Sequence, residues 1–217
     1  MRQKTICSAW IIAALLAFSA AAESPERFRV VFLGDSLTSG YTLDADLAYP
    51  ALIQNRIDAA GLPFTVLNSG VSADTTAGGL SRLNWLLRQR VDVLVVALGA
   101  NDGLRAFDPT VPRRNLTAII ETTRERQPHC AILLAGMKLP RNMGDDYVDT
   151  FEAIFPELAA AYDLPLLPFL LEGVAGRPDL NMPDGIHPTA EGQRIIADQM
   201  WTFLEPTLRR VANQTNP

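Results

Sequence analysis

The amino-acid sequence predicts an α/β protein, a three-layer α/β/α sandwich built on a five-stranded parallel sheet. Two observations support this fold class. Strand-like and helix-like patterns alternate along the chain, as they do in a parallel sheet that is covered by helices on both sides. The 217 residues are 48% hydrophobic and 20% charged, which suits a globular domain with a sizeable core.

The predicted strands are short apolar segments rich in β-branched and aliphatic residues. They span residues 28–33, 64–67, 91–98, 131–135 and 164–167. Their apolar residues run almost without interruption, whereas a strand with one face in water alternates apolar and polar residues. The pattern therefore indicates parallel strands that are buried on both faces.

The segments between the strands carry apolar residues at helical spacing. The predicted helices span residues 50–60, 80–87, 112–123, 147–162 and 189–210. Pro50 and Pro112 begin two of them, because proline is favoured at the first helical position, and Gly61 ends the first. No repeat, low-complexity stretch or linker interrupts the order, so we expect residues 23–217 to form one domain.

The first 22 residues are typical of a secretory signal peptide. Arg2 and Lys4 form a basic start, residues 6–18 form an apolar run, and small residues follow at 19–22. The alternative is an uncleaved membrane anchor, but a membrane span needs about 20 apolar residues and this run is shorter. We therefore expect a bacterial periplasmic or secreted protein with no stable membrane insertion after cleavage.

The composition also limits the classes of partner and cofactor. A net charge of −5 argues against a nucleic-acid partner, because phosphate binding requires clustered Lys and Arg. The sequence contains no P-loop and no G-x-G-x-x-G motif, and its two histidines lack partners for a metal site. Without the signal peptide, Cys130 is the single cysteine, which excludes an intramolecular disulfide. We expect a monomer that uses no metal and no cofactor.

Polar segments that contain glycine follow the predicted strands. They lie at residues 34–41, 68–72, 99–103 and 184–188. In parallel α/β sheets, active sites lie beyond the carboxyl ends of the strands. We therefore expect the four segments to meet at one edge of the sheet and to carry the chemistry of the protein.

Ser36, Asp184 and His187 are the candidate catalytic residues. A serine hydroxyl is a weak nucleophile that needs a base, and histidine suits this role near neutral pH. His187 lies three residues after Asp184, so the carboxylate can turn back to the imidazole. The other histidine, His129, follows a Gln-Pro turn and is expected on the surface. The structural alternatives are that Ser36 caps a helix and that Asp184 and His187 belong only to a helix-start turn.

Three N–H groups are candidate donors to the oxyanion that forms during acyl transfer. They are the main-chain N–H groups of Ser36 and Gly70 and the side-chain amide of Asn101. Gly70 has no side chain to obstruct its N–H, and both Gly70 and Asn101 follow predicted strands. The alternatives are a simple turn glycine and an Asx-turn asparagine.

The four polar segments resemble the sequence blocks of the SGNH hydrolase (GDSL esterase/lipase) family. The similarity is greatest to the bacterial branch of thioesterase I, lysophospholipase L1 and arylesterase, and it covers residues 29–205. The resemblance implies a flavodoxin-like SGNH hydrolase fold. The motif residues of the family would be Ser36, Gly70, Asn101 and His187, with Asp184 as the acid.

The residues and the resemblance together predict a hydrolase of carboxylic ester or thioester bonds. It would act on small-molecule acyl substrates through an acyl-enzyme on Ser36. We expect Leu104, Phe107 and Leu139 to line an acyl groove, although lid or core packing would explain them equally well. Two other functions are compatible with the same fold, namely a carbohydrate O-deacetylase with the same catalytic residues and a non-catalytic binding module.

Overall fold

A five-stranded sheet organises residues 27–214, the part of the chain that the computed structural model describes. The strands are β1 (Phe28–Gly34), β2 (Phe64–Gly70), β3 (Val93–Ala97), β4 (Ala131–Ala135) and β5 (Leu166–Leu167). The α-helices are α1 (Ser36–Ser39), α2 (Tyr49–Ala59), α3 (Thr76–Leu86), α4 (Ala100–Leu104), α5 (Thr110–Arg126), α6 (Asp145–Glu152), α7 (Ile154–Ala161) and α8 (Ala190–Gln214). Short 3₁₀ turns lie at Ala45–Leu47 and Arg141–Met143.

The strands lie in the order β2-β1-β3-β4-β5, and every neighbouring pair is parallel. This is the strand order of flavodoxin-like folds. It confirms the predicted three-layer α/β/α fold with a five-stranded parallel sheet. The chain reverses its direction across the sheet at β1, and such folds bind ligands at that reversal, between the carboxyl ends of β1 and β3.

The core lies on both faces of the central strands. Every residue of β3 is buried, and Phe32 of β1 and Leu134 of β4 have no exposed surface. Helix α2 packs against α8, and α3 packs against α5. The right-handed crossovers of a parallel sheet place these two pairs on opposite faces. Burial from both sides explains why the central strands are nearly continuous apolar runs, whereas β2, at the edge of the sheet, is partly exposed.

The predicted helix over residues 147–162 is wrong in one respect, because the structure divides it into α6 and α7. Pro156 supplies the physical reason. Proline has no N–H to donate, and its ring would collide with the carbonyl four residues earlier, that of Glu152. In the structure Pro156 lies in the first turn of α7, where an N–H has no intrahelical acceptor. Helices α1 and α4 are not predicted, because four or five residues are too few to show a helical period.

The predicted signal peptide, residues 1–22, lies outside the described residues. At the other end, α8 continues to Gln214, four residues beyond the predicted end at 210. Within residues 27–214, no helix combines the length and the hydropathy needed to cross a bilayer.

Candidate active site

Ser36 is the first residue of α1, at the carboxyl end of β1. The preceding residue, Asp35, caps this short helix, and its Oδ1 accepts a hydrogen bond from the Leu37 N–H at 2.9 Å. Gly40 ends the helix in the left-handed conformation with φ of 72°, which glycine adopts without steric cost. The helix cap is therefore Asp35, and the Ser36 hydroxyl is available for another contact.

The Ser36 hydroxyl lies in a chain of hydrogen bonds with the two other candidate catalytic residues. The distance from Ser36 Oγ to His187 Nε2 is 2.9 Å, and that from His187 Nδ1 to Asp184 Oδ2 is 2.7 Å. Ser36 and His187 are 151 positions apart in the sequence. The fold therefore brings together the three side chains that the sequence nominates, in the order of a nucleophile, a base and an acid.

Asp184 also shapes the turn that carries His187. Its Oδ1 accepts hydrogen bonds from the N–H groups of Ile186 and His187, at 2.9 and 3.0 Å. The hydrogen bond from the His187 ring and these two N–H groups lower the pKa of Asp184 to about 2. The carboxylate is therefore ionised over the whole working range of an enzyme. On the other side of the imidazole, the ring of Tyr41 packs at 4.5 Å between centroids, a contact that the sequence does not indicate.

Asn101 lies at the start of α4, beyond β3, and its amide points towards the β1 and β2 loops. Its Nδ2 donates to the Asp74 carbonyl at 2.9 Å and lies 3.5 Å from Asp35 Oδ2. The neighbouring residue Asp102 accepts hydrogen bonds from the N–H and hydroxyl of Thr76, at 2.8 and 2.6 Å. These bonds connect the loop after β3 to the start of α3, so the position of Asn101 is fixed from two sides.

Gly70 has a packing role in addition to its predicted one. A Cβ at this position would lie 2.3 Å from the Ser39 nitrogen, so only glycine allows β2 to approach α1 this closely. The Gly70 N–H donates to Asn68 Oδ1 at 2.9 Å. Its predicted role in an oxyanion hole stays a prediction. In that role the Gly70 N–H would have to release Asn68 Oδ1 and donate to the substrate oxygen instead.

A cavity of about 510 Å³ opens beside Ser36, Asn101 and His187. The side chains that line it further out are mostly apolar: Leu37, Leu104, Met137, Leu139, Pro140, Phe169, Leu171, Ala175 and Ile186. Leu104 and Leu139, two of the three predicted groove residues, are among these lining residues. Phe107 is not among the lining residues, and it is 38% exposed. The structure therefore gives no support to Phe107 as part of the groove.

The two remaining residues of interest carry no chemistry of this site. His129 is exposed in a turn before β4, as the sequence predicts. Burial raises the pKa of the Cys130 thiol to about 12, which leaves essentially no thiolate near neutral pH. Within residues 27–214, no group of three His, Cys, Asp or Glu side chains is arranged to hold a metal ion.

Asp35 is a buried carboxyl group next to the site, and its burial raises its pKa to about 7. A raised pKa means that the folded protein binds a proton that the unfolded chain has released. The folded state therefore loses stability as the pH rises from about 4 to 7, by up to about 1.4 kcal/mol for each pH unit.

We expect Asp35→Asn to remove this loss, because an amide keeps the Oδ1 acceptor for Leu37 and carries no charge. The free energy of unfolding of Asp35→Asn minus that of the unmutated protein should be larger at pH 8 than at pH 5. Urea titrations at the two pH values measure it. A stability difference that is the same at both would contradict an ionisable, buried Asp35.

A serine, a histidine and an aspartate joined in this order, at the carboxyl edge of a parallel α/β sheet, define a serine hydrolase. The sequence profile of the GDSL-like Lipase/Acylhydrolase family matches residues 32–195. The chain belongs to this family, which confirms the resemblance inferred from the four polar segments.

Several known enzymes are similar to the chain over most of its length. An arylesterase of Vibrio mimicus is 36% identical over 189 residues, which cover 87% of this chain and 94% of that protein. The thioesterase 1/protease 1/lysophospholipase L1 of Escherichia coli K12 is 40% identical over 193 residues, 88% of each chain. The crystal structure of TesA superimposes with a TM-score of 0.78 at 35% identity, covering 82% of this chain and 98% of that one. The chain is a carboxylic ester hydrolase, and the prediction of an enzyme rather than a binding module is confirmed.

Proposed function

We propose that Ser36, His187 and Asp184 are the catalytic triad of an enzyme that hydrolyses acyl esters and thioesters. The observation that supports this assignment is the unbroken chain of hydrogen bonds from Ser36 Oγ to Asp184 Oδ2. These hydrogen bonds lie beside a cavity that is large enough for an acyl group. Relatives with these reactions in their names, an arylesterase and a thioesterase 1/lysophospholipase L1, are similar over nearly the whole chain.

In the proposed reaction the Ser36 oxygen attacks the acyl carbonyl while His187 Nε2 accepts the hydroxyl proton. Asp184 accepts a hydrogen bond from the Nδ1–H of the ring, which favours the tautomer with Nε2 unprotonated and able to act as a base. The imidazolium then donates its Nε2 proton to the departing alcohol or thiol. Water, deprotonated by the same nitrogen, attacks the acyl-enzyme and regenerates Ser36.

We propose the Ser36 N–H and the Asn101 amide as the oxyanion donors, with the Gly70 N–H as a third. Ser36 begins α1, so its N–H has no intrahelical acceptor and points away from the helix. Asn101 follows β3, next to β1 in the sheet, which places its amide at the same edge as Ser36. Donors aimed at the developing charge act on the transition state more than on the bound ester.

The apolar cavity favours acyl groups longer than acetyl. Leu104 and Leu139 line it beyond the triad, together with Met137 and Phe169. Burying an additional methylene in such a cavity contributes about 0.8 kcal/mol. A carbohydrate O-deacetylase would instead need polar partners for the sugar hydroxyls around the serine.

We expect p-nitrophenyl esters of medium-length acyl groups to be hydrolysed with a higher kcat/KM than the acetate, by about tenfold or more for several added methylenes. The experiment uses a panel of p-nitrophenyl esters, acyl-CoA thioesters, lysophospholipids and O-acetylated sugars. The Ser36→Ala protein is the control for uncatalysed hydrolysis. Activity confined to acetyl esters would overturn the acyl-cavity proposal, and activity confined to acetylated sugars would support the deacetylase.

We also propose that the enzyme is exported and acts as a monomer in the bacterial periplasm or medium. The basic start and apolar run of residues 1–22 support export. The candidate site is complete within one chain, so a monomer is sufficient for the proposed reaction.

A further inference from the structure

Arg82 on α3 contacts the carboxyl ends of β1 and β2 and the loop that follows β2 with one guanidinium group. Its Nη2 donates to the Gly34 carbonyl at 2.9 Å, its Nη1 to Ser69 Oγ at 2.7 Å, and its Nε to Asp74 Oδ2 at 2.9 Å. The Arg82 side chain is only 21% exposed and that of Asp74 only 11%. The planar guanidinium offers donors in a fixed fork, so the three acceptors are held in a defined arrangement.

Each of these acceptors lies next to a proposed oxyanion donor. Gly34 precedes Asp35 and Ser36, and its carbonyl also accepts the Val71 N–H at 3.1 Å. Ser69 directly precedes Gly70. Thus one contact holds a main-chain carbonyl two residues before Ser36, and another holds the side chain of the residue before Gly70.

The third contact acts through Asp74. The Asp74 carboxylate binds Arg82, and the Asp74 carbonyl accepts the Asn101 amide at 2.9 Å. Rotation or displacement of this residue would move the carbonyl that orients the Asn101 side chain. The structure therefore connects Arg82 to all three proposed donor segments, although Arg82 itself does not line the cavity.

We propose that Arg82 is a positioning residue that holds the oxyanion donors in register with one another. This inference rests on the proposed function of Ser36 and Asn101. Preorganised donors stabilise the transition state because they need no rearrangement during the reaction, and small displacements cost much of that effect. Loss of Arg82 should therefore lower kcat and leave KM nearly unchanged.

Arg82→Met tests the proposal, because methionine keeps the apolar stem and removes all three hydrogen bonds. We expect kcat to fall by about 10- to 100-fold, less than the 10²- to 10³-fold of a deleted donor. KM should stay within about threefold, since the acyl cavity is untouched. Arg82→Lys should also lose activity, because an ammonium group cannot reproduce the three-way fork. It serves as the test variant if Arg82→Met does not fold. Active sites are counted in every preparation by titration with a fluorophosphonate.

A double-mutant cycle with Asn101→Ala separates positioning from general loss of stability. If Arg82 acts through the oxyanion donors, Arg82→Met should cost clearly less in the Asn101→Ala background than in the unmutated protein. A purely structural effect would multiply with that of Asn101→Ala. Such multiplicative losses, or an unchanged kcat in Arg82→Met, would overturn the proposal.

Arg90→Met is the matched control. Arg90 Nε also binds a carboxylate, Asp92 Oδ1, at 2.7 Å, but at the amino ends of the strands, far from the site. This variant should keep its kcat, and an equal loss of kcat in both variants would refute the specific role of Arg82.

The Ser36→Ala protein shows whether a negative result concerns the proposed function or only the role of Arg82. Turnover by Ser36→Ala would refute the proposed function itself, whereas an inactive Ser36→Ala beside a fully active Arg82→Met would refute only the inference on Arg82.

Discussion

Ser36→Ala is expected to abolish ester hydrolysis, with a fall in kcat of about 10⁴-fold or more. The variant lacks the oxygen that forms the acyl-enzyme, and His187 then has no proton to accept from the protein. The side chain makes one hydrogen bond, to His187 Nε2. Stability should therefore change little. Initial rates on a p-nitrophenyl ester and thermal unfolding of the same samples measure both effects.

Ser39→Ala is the matched control for this variant. Ser39 lies on the same short helix, and its hydroxyl donates to the Ser36 carbonyl at 3.2 Å without reaching His187. We expect its rate to stay within about threefold of the unmutated protein, because this partly buried hydroxyl lies outside the reacting groups. Substantial turnover by Ser36→Ala would show that another group is the nucleophile. Equal losses in the two variants would instead indicate that disruption of α1, and not the missing hydroxyl of Ser36, causes the loss.

Asp184→Asn is expected to lower kcat by about 10³- to 10⁴-fold while the turn around His187 persists. The asparagine Oδ1 can still accept the N–H groups of Ile186 and His187. Its Nδ2, however, would donate to His187 Nδ1 and favour the tautomer with a proton on Nε2. That tautomer cannot accept the Ser36 proton, so the loss appears in kcat and in the rate of acylation measured by stopped flow.

The control for Asp184→Asn is Asp179→Asn, an exposed carboxylate before the same turn that binds Arg177 at 2.7 Å. It should leave the rate unchanged, because exposed ion pairs contribute little. In the unmutated protein the hydrogen bonds from His187 and Ile186 lower the pKa of Asp184 to about 2, so this carboxylate is ionised throughout the assay range. An Asp184→Asn protein with normal kcat would remove Asp184 from the proposed triad.

The fold was open to prediction because its signals are local. Strands that are buried on both faces must be apolar, and this holds for all of β3 and β4 and for residues 30–33 of β1. The helices between them repeat their apolar residues at helical spacing. Where a local rule competes with periodicity, as Pro156 does between α6 and α7, the boundary is misplaced although the element type is right.

The candidate catalytic residues were predictable for a related reason. Parallel strands deliver the segments that follow them to the same edge of the sheet, so the chemistry of those segments can be combined without knowledge of distances. Ser36, Asn101, His187 and Asp184 are predicted in this way. The structure brings the first three to one cavity and joins Asp184 to His187 by a hydrogen bond. The residues that line the acyl cavity were harder to predict. Of the three that the sequence suggests, Leu104 and Leu139 line the cavity and Phe107 does not.

The sequence by itself determined the parallel α/β fold, the serine chemistry and the edge of the sheet at which it takes place. Only the tertiary structure decided which partners the site residues have. It placed the Gly70 N–H on Asn68, the ring of Tyr41 on His187 and the guanidinium of Arg82 on the ends of β1 and β2 and the loop after β2. The physical reason is the range of the interactions. Periodicity and strand ends are properties of neighbouring residues, whereas a hydrogen bond from Arg82 to Gly34 depends on how closely α3 packs on the sheet.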